Sequence, residues 1–241
     1  MVIGNQPKAS QHFPITNCQS LITASMDLLS DRTKLDRYPA RGKHDFETVA
    51  AILDEGFFCH VGFVQNGQPY VIPTGYGREG RTLYIHGSAL SRMLNQAENE
   101  IPICVTVTLV DGLVLARSAF HSSVNYRSVV ILGSAGKVTG DAKLSALKVI
   151  VDQIVPRRWD SLRPVTQREI DDTTVLKLDI EEASAKIRSG PPADDEEDYA
   201  LPIWAGTLDF PALSPSATSD PRLLPGLPVP EHVRQYNRVK K

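Results

Sequence analysis

A glycine, two serines and an arginine lie within six residues just after a predicted strand. The segment Leu83–His86 alternates like a strand, and Gly87, Ser88, Ser91 and Arg92 then open a segment with helical spacing. The first amide groups of a helix are unpaired donors at the positive end of its dipole, so this junction can hold a phosphate. The Ser88 hydroxyl and the Arg92 guanidinium, one turn further on, can bind the same anion. An ordinary N-cap at Ser88 and a solvated Arg92 explain the same residues without a ligand.

A second polar group of residues lies between two apolar runs. It contains Arg117 and His121, followed by Tyr126, Arg127 and Ser128. In a strand Tyr126 and Ser128 face one side and Arg127 the other, so Ser128 can offer its hydroxyl to a ligand that Arg127 does not reach. We expect Arg127 to form an ion pair or an interface contact, with the phosphate as a further alternative. Arg117, His121 and Tyr126 either line a substrate pocket or complete the rim of the fold.

Three histidines are candidates for a ligand contact. His86 precedes Gly87 and Ser88, and an imidazole titrates near neutral pH, so it can donate a proton to a bound cofactor. His60 lies within an apolar strand and is more simply a core or interface residue. If the ligand is a haem, His60, His86 or His121 is its axial ligand, although the three share no metal-ligand spacing and no other metal site is expected.

Composition limits the class of protein. The chain has 241 residues and a net charge of −2, which gives no basic field for nucleic acid or an anionic membrane. Its cysteines, Cys18, Cys59 and Cys104, have no C-x-x-C spacing, and the two later ones lie in apolar runs typical of core residues. No signal-peptide pattern or run of about 20 apolar residues is present. We therefore expect a cytoplasmic protein.

The hydrophobic pattern indicates three regions. Residues 1–42 are predicted to form a polar arm and residues 43–190 a folded domain. Residues 191–241 form a proline-rich extension that is predicted to wrap over this domain or a partner, without regular structure beyond Trp204. Phe46, Val49, Ala50 and Leu53 have helical spacing, with Asp45 as the N-cap and Gly56 as the glycine that ends the helix.

Period-two alternation dominates the rest of the domain. Asn66-Gly67 and Gly80 separate the first strands as turns, and Asp111-Gly112 predicts another turn. Because alternating βαβ units are absent, the fold class is mainly β, a barrel or strongly curled antiparallel sheet with attached helices. The predicted strands are 57–64, 70–74, 81–86, 103–109, 113–116, 126–138 and 174–180, and two further helices span 88–97 and 141–155.

Four motifs carry a resemblance to a known family. PYVIPTGY, LYIHGSALSRML, NYRSVVILG and PIWAG together resemble the pyridoxamine 5′-phosphate oxidase-like flavin-binding proteins, in the branch known as flavin-nucleotide-binding. The similarity runs from about Arg37 to Tyr236. It implies a six-stranded antiparallel split β-barrel of the FMN-binding type, which forms a homodimer with FMN at the subunit interface.

The resemblance also assigns roles to residues. It implies that the strand that begins at Tyr70 borders the flavin ring and ribityl chain, that the next strand end contacts the flavin, and that Arg92 with Ser88 or Ser91 holds the 5′-phosphate. Ser128 stands where the oxidases have a glutamine, and Trp204 resembles a tryptophan that approaches the cofactor of the partner subunit. The implied cofactor residues are Tyr70, Val71, Ile72, Pro73, Thr74, Ile85, His86, Gly87, Ser88, Ser91, Arg92, Ser128 and Trp204.

Departures from the vitamin B6 oxidases leave the substrate open. Tyr70 stands where those enzymes have a basic residue, and no Arg-x-His element follows Trp204. The first hypothesis is an FMN-dependent oxidoreductase acting on a small organic substrate, with no residue identified as the catalytic acid or base. The second is a non-catalytic flavin or haem carrier or sensor, and the third is an interaction protein with an empty groove. A deazaflavin is a further alternative to FMN.

Overall fold

A ring of six antiparallel strands forms the centre of the molecule. The computed structural model describes residues 28–88, 100–210 and 215–237. Within these residues the ring runs β6–β7–β4–β3–β2–β5 and closes by pairing of β5 with β6, which confirms the predicted barrel. The strands are β1 (Gly42–Lys43), β2 (Phe58–Gln65), β3 (Gln68–Glu79), β4 (Thr82–Ser88), β5 (Ile101–Leu115), β6 (Ser123–Lys137), β7 (Thr173–Asp179), β8 (Glu182–Arg188) and β9 (Gly206–Asp209).

The described helices lie around this ring. They are α1 (Phe46–Glu55), α2 (Asp141–Ile154), α3 (Gln167–Asp172) and α4 (Glu231–Arg234), together with 3₁₀ turns at Pro39–Arg41, Trp159–Ser161 and Glu196–Ala200. None of these helices is both long enough and apolar enough to cross a lipid bilayer. The predicted helix over 88–97 falls almost entirely outside the described residues.

The barrel interior is filled by alternate side chains of each strand. Cys59, Val61 and Phe63 of β2 and Leu83 and Ile85 of β4 are all buried in one apolar cluster. Burial raises the pKa of the Cys59 thiol to about 12, so this side chain is a protonated core residue, as the sequence predicts. Cys104 instead points outward from β5 and is only partly buried.

The start of α1 agrees with the prediction, and its end differs. The Asp45 carboxylate accepts a hydrogen bond from the Thr48 amide at 2.8 Å, and hydrogen bonding by Thr48 lowers the pKa of Asp45. Gly56 has an extended backbone, with φ −79° and ψ 162°, rather than the left-handed conformation of a terminating glycine. A methyl group there would lie 2.5 Å from the Tyr76 hydroxyl, so close packing is what requires this glycine.

Turns are predicted at Asn66-Gly67 and at Asp111-Gly112, and the structure has only the first of them. Asn66 and Gly67 both have positive φ, 52° and 77°, and connect β2 to β3 as the predicted hairpin. The turn predicted at Asp111-Gly112 is wrong, because β5 continues through it with a β-bulge between Val110 and Gly112. A side chain at Gly112 would lie 2.7 Å from the Leu208 carbonyl oxygen, so the glycine lets β9 pair there.

Both terminal regions add structure to the barrel. Leu28 is buried and its carbonyl accepts from the Ala183 amide at 3.1 Å, so the described part of the arm packs against the domain. The prediction of no regular structure beyond Trp204 is wrong, because β9 pairs with β5 and α4 starts after Pro230. Strand β8, which the sequence analysis did not identify, pairs along β6.

An ion-pair cluster joins α1 to the barrel. The Arg127 guanidinium donates to both carboxylate oxygens of Asp111, at 2.7 and 3.0 Å, and also contacts both oxygens of Glu55. The hydrogen bonds to Asp111 raise the pKa of Arg127 most, and those to Glu55 raise it further. The expected ion pair at Arg127 is confirmed.

Removal of this guanidinium is expected to destabilise the protein. Arg127→Ala removes the guanidinium that bridges the half-buried carboxylates of Asp111 and Glu55, so the free energy of unfolding should fall by about 2–3 kcal/mol. Urea unfolding followed by circular dichroism measures this change. Arg163→Ala is the control, because its pair with Glu169 is exposed and its loss should have no resolvable effect. An equal effect of the two variants would contradict the prediction.

Candidate functional site

The barrel splits open between β3 and β4. Strand β3 pairs with β2 from Gln68 to Gly75 and with β4 only from Tyr76 to Glu79. On the other side of the gap, β4 stays paired with β7 up to Ser88. The edge of β3 before Tyr76 and the end of β4 after Ile85 therefore diverge without pairing to each other. We call this gap the split.

Side chains of β3 alternate across the edge of the split. Tyr70 and Ile72 pack against the barrel core, and the Tyr70 ring stacks on Phe63 with ring centroids 5.5 Å apart. Val71 and Pro73 point outward and are exposed. Thr74 is half-buried, and its hydroxyl donates to the Gly75 carbonyl at 3.3 Å. The residues from Tyr70 to Thr74 thus present a backbone edge and small or apolar side chains to the split.

The end of β4 forms the opposite side of the split. Ile85 is buried in the core, so only its backbone is available to a ligand. His86 lies on the same side of the strand as Tyr84, which packs against the cluster formed with α2. The backbone of Gly87 and Ser88 pairs with Thr174 and Thr173 of β7. The Ser88 side chain, Ser91 and Arg92 lie outside the described residues.

The pKa of His86 is lowered by its surroundings. Part of the ring is open to solvent, and the protein atoms around the rest remove water from it, which disfavours the charged imidazolium. The unfolded chain, with a histidine pKa near 6.5, therefore takes up its proton at higher pH than the folded protein. This residue should reduce stability as the pH falls below about 6.5 towards its lower folded pKa.

The pH dependence can be assigned to His86 by substitution. Between about pH 7.5 and 5.5 the free energy of unfolding of the unmodified protein should fall more than that of His86→Gln. Urea unfolding at both pH values measures the difference, and His44→Gln, at a histidine whose ring contacts the Ala183 carbonyl, serves as the control. If His86→Gln and the unmodified protein have parallel pH dependence, the lowered pKa is contradicted.

Beside the split, one outer surface of the barrel is unusually apolar. Valines and a phenylalanine point outward from neighbouring strands there, with Val71 67%, Val64 63%, Phe58 50% and Val110 50% exposed. The strand register places His60, Thr106 and Val130 side by side on this same surface. We call it the outer face; its residues are Phe58, His60, Val64, Val71, Cys104, Thr106, Val110, Tyr126, Ser128 and Val130.

Neither Ser128 nor Trp204 lies on the two strands that border the split. Ser128 is on the outer face, opposite Thr108 of β5 and Lys186 of β8. Trp204 is 67% exposed, and its ring covers Gly206, which pairs with Leu115. Tyr70 and Pro73 align through β2 with Ile103 and Thr106, so roughly 30–40 Å of β5, at about 3.3 Å per residue, separates the split from Leu115, near which Trp204 lies. Only a second subunit could bring Trp204 to a split.

The predicted substrate residues lie close together at the end of β6. Arg117 donates to the buried carboxylate of Asp194 at 3.0 Å and lies over the Tyr199 ring, which holds it in the structure. Tyr126 pairs with Arg188 in the ladder of β6 and β8. His121 contacts Asp195, with 3.3 Å between Nε2 and the carboxylate oxygen, and lines a pocket of about 450 Å³.

This pocket contains cations that the sequence analysis did not identify. Arg37 and Arg41 come from the arm, and Lys186 and Arg188 come from β8. More than 140 residues of the chain separate the first two cations from the last two, and the pairing of β1 with β8 brings the two groups together. We call the site formed by Arg37, Tyr38, Arg41, His121, Lys186 and Arg188 the basic pocket.

Comparison with known families places this fold. The sequence profile described as pyridoxamine 5′-phosphate oxidase matches residues 45–187, which include α1 and all the ring strands. The chain belongs to the pyridoxamine 5′-phosphate oxidase family. The expected split-barrel fold is thereby confirmed. A comparison with curated protein sequences gives no match.

Two solved structures of family members are similar over most of the chain. The flavocytochrome Anf3 from Azotobacter vinelandii is 47% identical, with 85% of this chain and 95% of that chain covered and a TM-score of 0.79. The FAD and haem binding protein from Mycobacterium smegmatis is 35% identical, with 80% and 96% covered and a TM-score of 0.77. The first relative is named as a flavocytochrome and the second for its binding of FAD and haem.

Proposed function

We propose that this protein is a flavin- and haem-binding oxidoreductase that works as a homodimer. The observation that carries the proposal is the split, because the described residues with predicted flavin contacts on β3 and β4 lie on its two sides. The similarity to a flavocytochrome and to an FAD and haem binding protein supports two cofactors. When bound, the flavin would supply hydride and single-electron chemistry, and the haem single-electron chemistry.

The chemistry of the split suits a flavin. From Val71 to Thr74 the edge of β3 that faces β4 pairs with no described strand, so the amide and carbonyl groups on that edge can bind the polar edge of a flavin ring. His86 stands opposite this edge, at the end of β4. The chain then leads from Ser88 towards Ser91 and Arg92, which the sequence predicts to hold the 5′-phosphate.

A homodimer would complete this site. The outer face exposes large apolar side chains on adjacent strands, an arrangement typical of a covered interface. In a two-fold dimer the same face meets itself, so each subunit can offer residues to the split of the other. We infer that Trp204 and Ser128 act in this way, since Trp204 lies far along β5 from the split of its own subunit and Ser128 lies on the outer face.

The nucleotide and the haem are identified directly from the purified protein. Denaturation followed by chromatography should release a flavin, expected as FAD because the mycobacterial relative binds FAD. Release of FMN would instead uphold the prediction from the single-phosphate site, and a deazaflavin would be recognised by its own spectrum. Absence of flavin, together with failure to bind added FMN or FAD, would overturn the proposal.

Turnover separates an oxidoreductase from a carrier. If the protein is an enzyme, anaerobic addition of NADH, NADPH or a reduced electron-transfer protein should bleach the flavin absorption, and an added acceptor should restore it repeatedly. A flavin that binds but is never reduced by these donors would favour the carrier. Absorption spectra of the same samples show whether a haem band changes in parallel.

A further inference from the structure

The basic pocket concentrates positive charge that the described part of the chain does not neutralise. Its cations, none of which forms an ion pair with a described carboxylate, are Arg37, Arg41, Lys186 and Arg188. Of the nearby acids, Asp194 is engaged by Arg117 and Asp195 by His121. Positive charges held together repel one another, so an anion that enters the pocket removes an electrostatic cost. The pocket therefore favours a ligand with several negative charges.

The arm and strand β8 each contribute two of these cations. On the side of the arm, the guanidinium carbons of Arg37 and Arg41 lie 5.2 and 4.4 Å from the centroid of the Tyr38 ring, so one ring supports both. On the side of β8, Arg188 donates to the side-chain oxygen of the buried Asn125 at 2.6 Å. Burial, and secondarily the nearby charge of Arg41, lower the pKa of Arg188. The two sides are thus close enough to act on one ligand.

Neutral groups of the same pocket suit the organic part of such a ligand. Phe120 is 84% exposed, and its ring meets the His121 ring edge to face, with centroids 5.2 Å apart. Exposed aromatic rings are common stacking partners of nucleic-acid bases. Ser122 and Ser123 also line the pocket, whose volume of about 450 Å³ is typical for a small-molecule site. The pocket thus offers cations to phosphate groups and an aromatic surface to a planar base.

We propose that the basic pocket binds an organic diphosphate, the group present in FAD and in free nucleoside diphosphates. Two linked phosphates match two pairs of cations, one pair from the arm and one from β8. Each arginine can bind a phosphate with two parallel hydrogen bonds, and Lys186 adds a point charge. A single phosphate would leave one pair of cations unused, so the second phosphate is what the arrangement selects.

The pocket borders the outer face, which connects it to the proposed homodimer. In the ladder of β6 and β8, Lys186 lies opposite Ser128 and Arg188 lies opposite Tyr126. Opposite residues of a ladder share one side of the sheet, and Ser128 and Tyr126 belong to the outer face. A diphosphate here can therefore belong to an FAD whose ring lies in the split of the partner subunit, or to a nucleotide taken up from solution. Only the first source rests on the proposed function.

Calorimetric titration with inorganic pyrophosphate tests the site. The full-length protein is first saturated with FMN, which carries one phosphate and so cannot fill a diphosphate site. Arg37→Ala/Arg41→Ala should then bind pyrophosphate about 10- to 100-fold more weakly than the unmodified protein. Lys186→Gln should weaken pyrophosphate binding from the side of β8. The matched control is Arg163→Ala/Arg168→Ala, which removes two positive charges at exposed positions away from the pocket. Thermal unfolding of each variant checks that the fold is intact.

Flavin affinities identify the source of the diphosphate. If it belongs to FAD, saturation with FAD instead of FMN should abolish pyrophosphate binding. Arg37→Ala/Arg41→Ala should then bind FAD about 10- to 100-fold more weakly and FMN as tightly as the unmodified protein does. If it belongs to a free nucleotide, the FAD-saturated protein should still bind pyrophosphate and ADP, and the arginine variant should keep its FAD affinity.

The outcomes separate this inference from the proposed function. Failure of the unmodified protein to bind millimolar pyrophosphate would overturn the diphosphate site, and so would equal pyrophosphate affinity of the arginine variant and its control. Orthophosphate bound as tightly as pyrophosphate would overturn the match to two phosphates. If the protein binds no flavin, the proposed function fails, and the same titration of the flavin-free chain with pyrophosphate still decides whether the pocket binds a diphosphate.

Discussion

Replacement of Val64 and Val110 by aspartate is expected to convert the proposed homodimer to a monomer and to prevent flavin binding. Both valines are at least half exposed on the outer face, so the fold of one subunit should tolerate the change. In a two-fold dimer each substitution occurs twice, so four carboxylates would be buried against an apolar surface, which costs several kcal/mol. The split would then lose the residues offered by the partner.

Analytical ultracentrifugation and the flavin absorption of the same fractions measure both effects. The matched control is Leu144→Asp/Leu162→Asp, which adds the same charge at two leucines that are 41% and 42% exposed and lie outside the outer face. The control should remain dimeric with its flavin bound. A double variant that stays dimeric would contradict the interface, and a monomer that keeps its flavin would contradict a site shared between subunits.

Gly77→Ala is expected to lower the free energy of unfolding by about 3 kcal/mol or more. Helix α2 packs directly on β3 at this glycine, and an added methyl group would lie 2.7 Å from the backbone nitrogen and Cα of Ile150. Backbone atoms of a helix have no rotamer to change, so the whole helix would have to move off the sheet. The cluster that α2 forms with Val138 and Val175 would loosen as a result.

A second glycine of the same strand provides the control for this prediction. At Gly75 an added methyl group would meet its nearest atoms at 3.7 and 3.8 Å, which is ordinary contact. Gly75→Ala should therefore change the stability by less than about 1 kcal/mol in urea unfolding. Equal destabilisation by the two alanines would show that the close approach of α2 is not what requires Gly77.

Local signals in the sequence predicted the elements that local forces determine. The spacing of apolar residues and the Asp45 cap predicted α1, and Asn66-Gly67 predicted a turn because positive φ is needed at both positions. The same kind of signal was misleading at Asp111-Gly112. There the chain continues because β6 and β9 pair across the bulge, and such long-range pairing has no local signature.

Features that depend on the assembled sheet were beyond the sequence. Strand β8 contains two alanines together with Glu182 and Lys186, residue types with little strand preference, and it is held by pairing along β6. The basic pocket combines residues near positions 40, 120 and 187, so no motif spans it. Of its members only His121 was a candidate from the sequence. The four cations could have been grouped only by knowing that β1 pairs with β8.

The decisive measurement is the flavin dissociation constant of Arg92→Ala. A flavin in the split would have its 5′-phosphate at the end of β4, where Arg92 is predicted to bind it. Removal of one charge-assisted contact should weaken flavin binding by about 10- to 150-fold, corresponding to about 1.5–3 kcal/mol. Arg168→Ala, at an exposed arginine of α3, should bind flavin like the unmodified protein. Equal flavin affinity of Arg92→Ala and this control would contradict the claim.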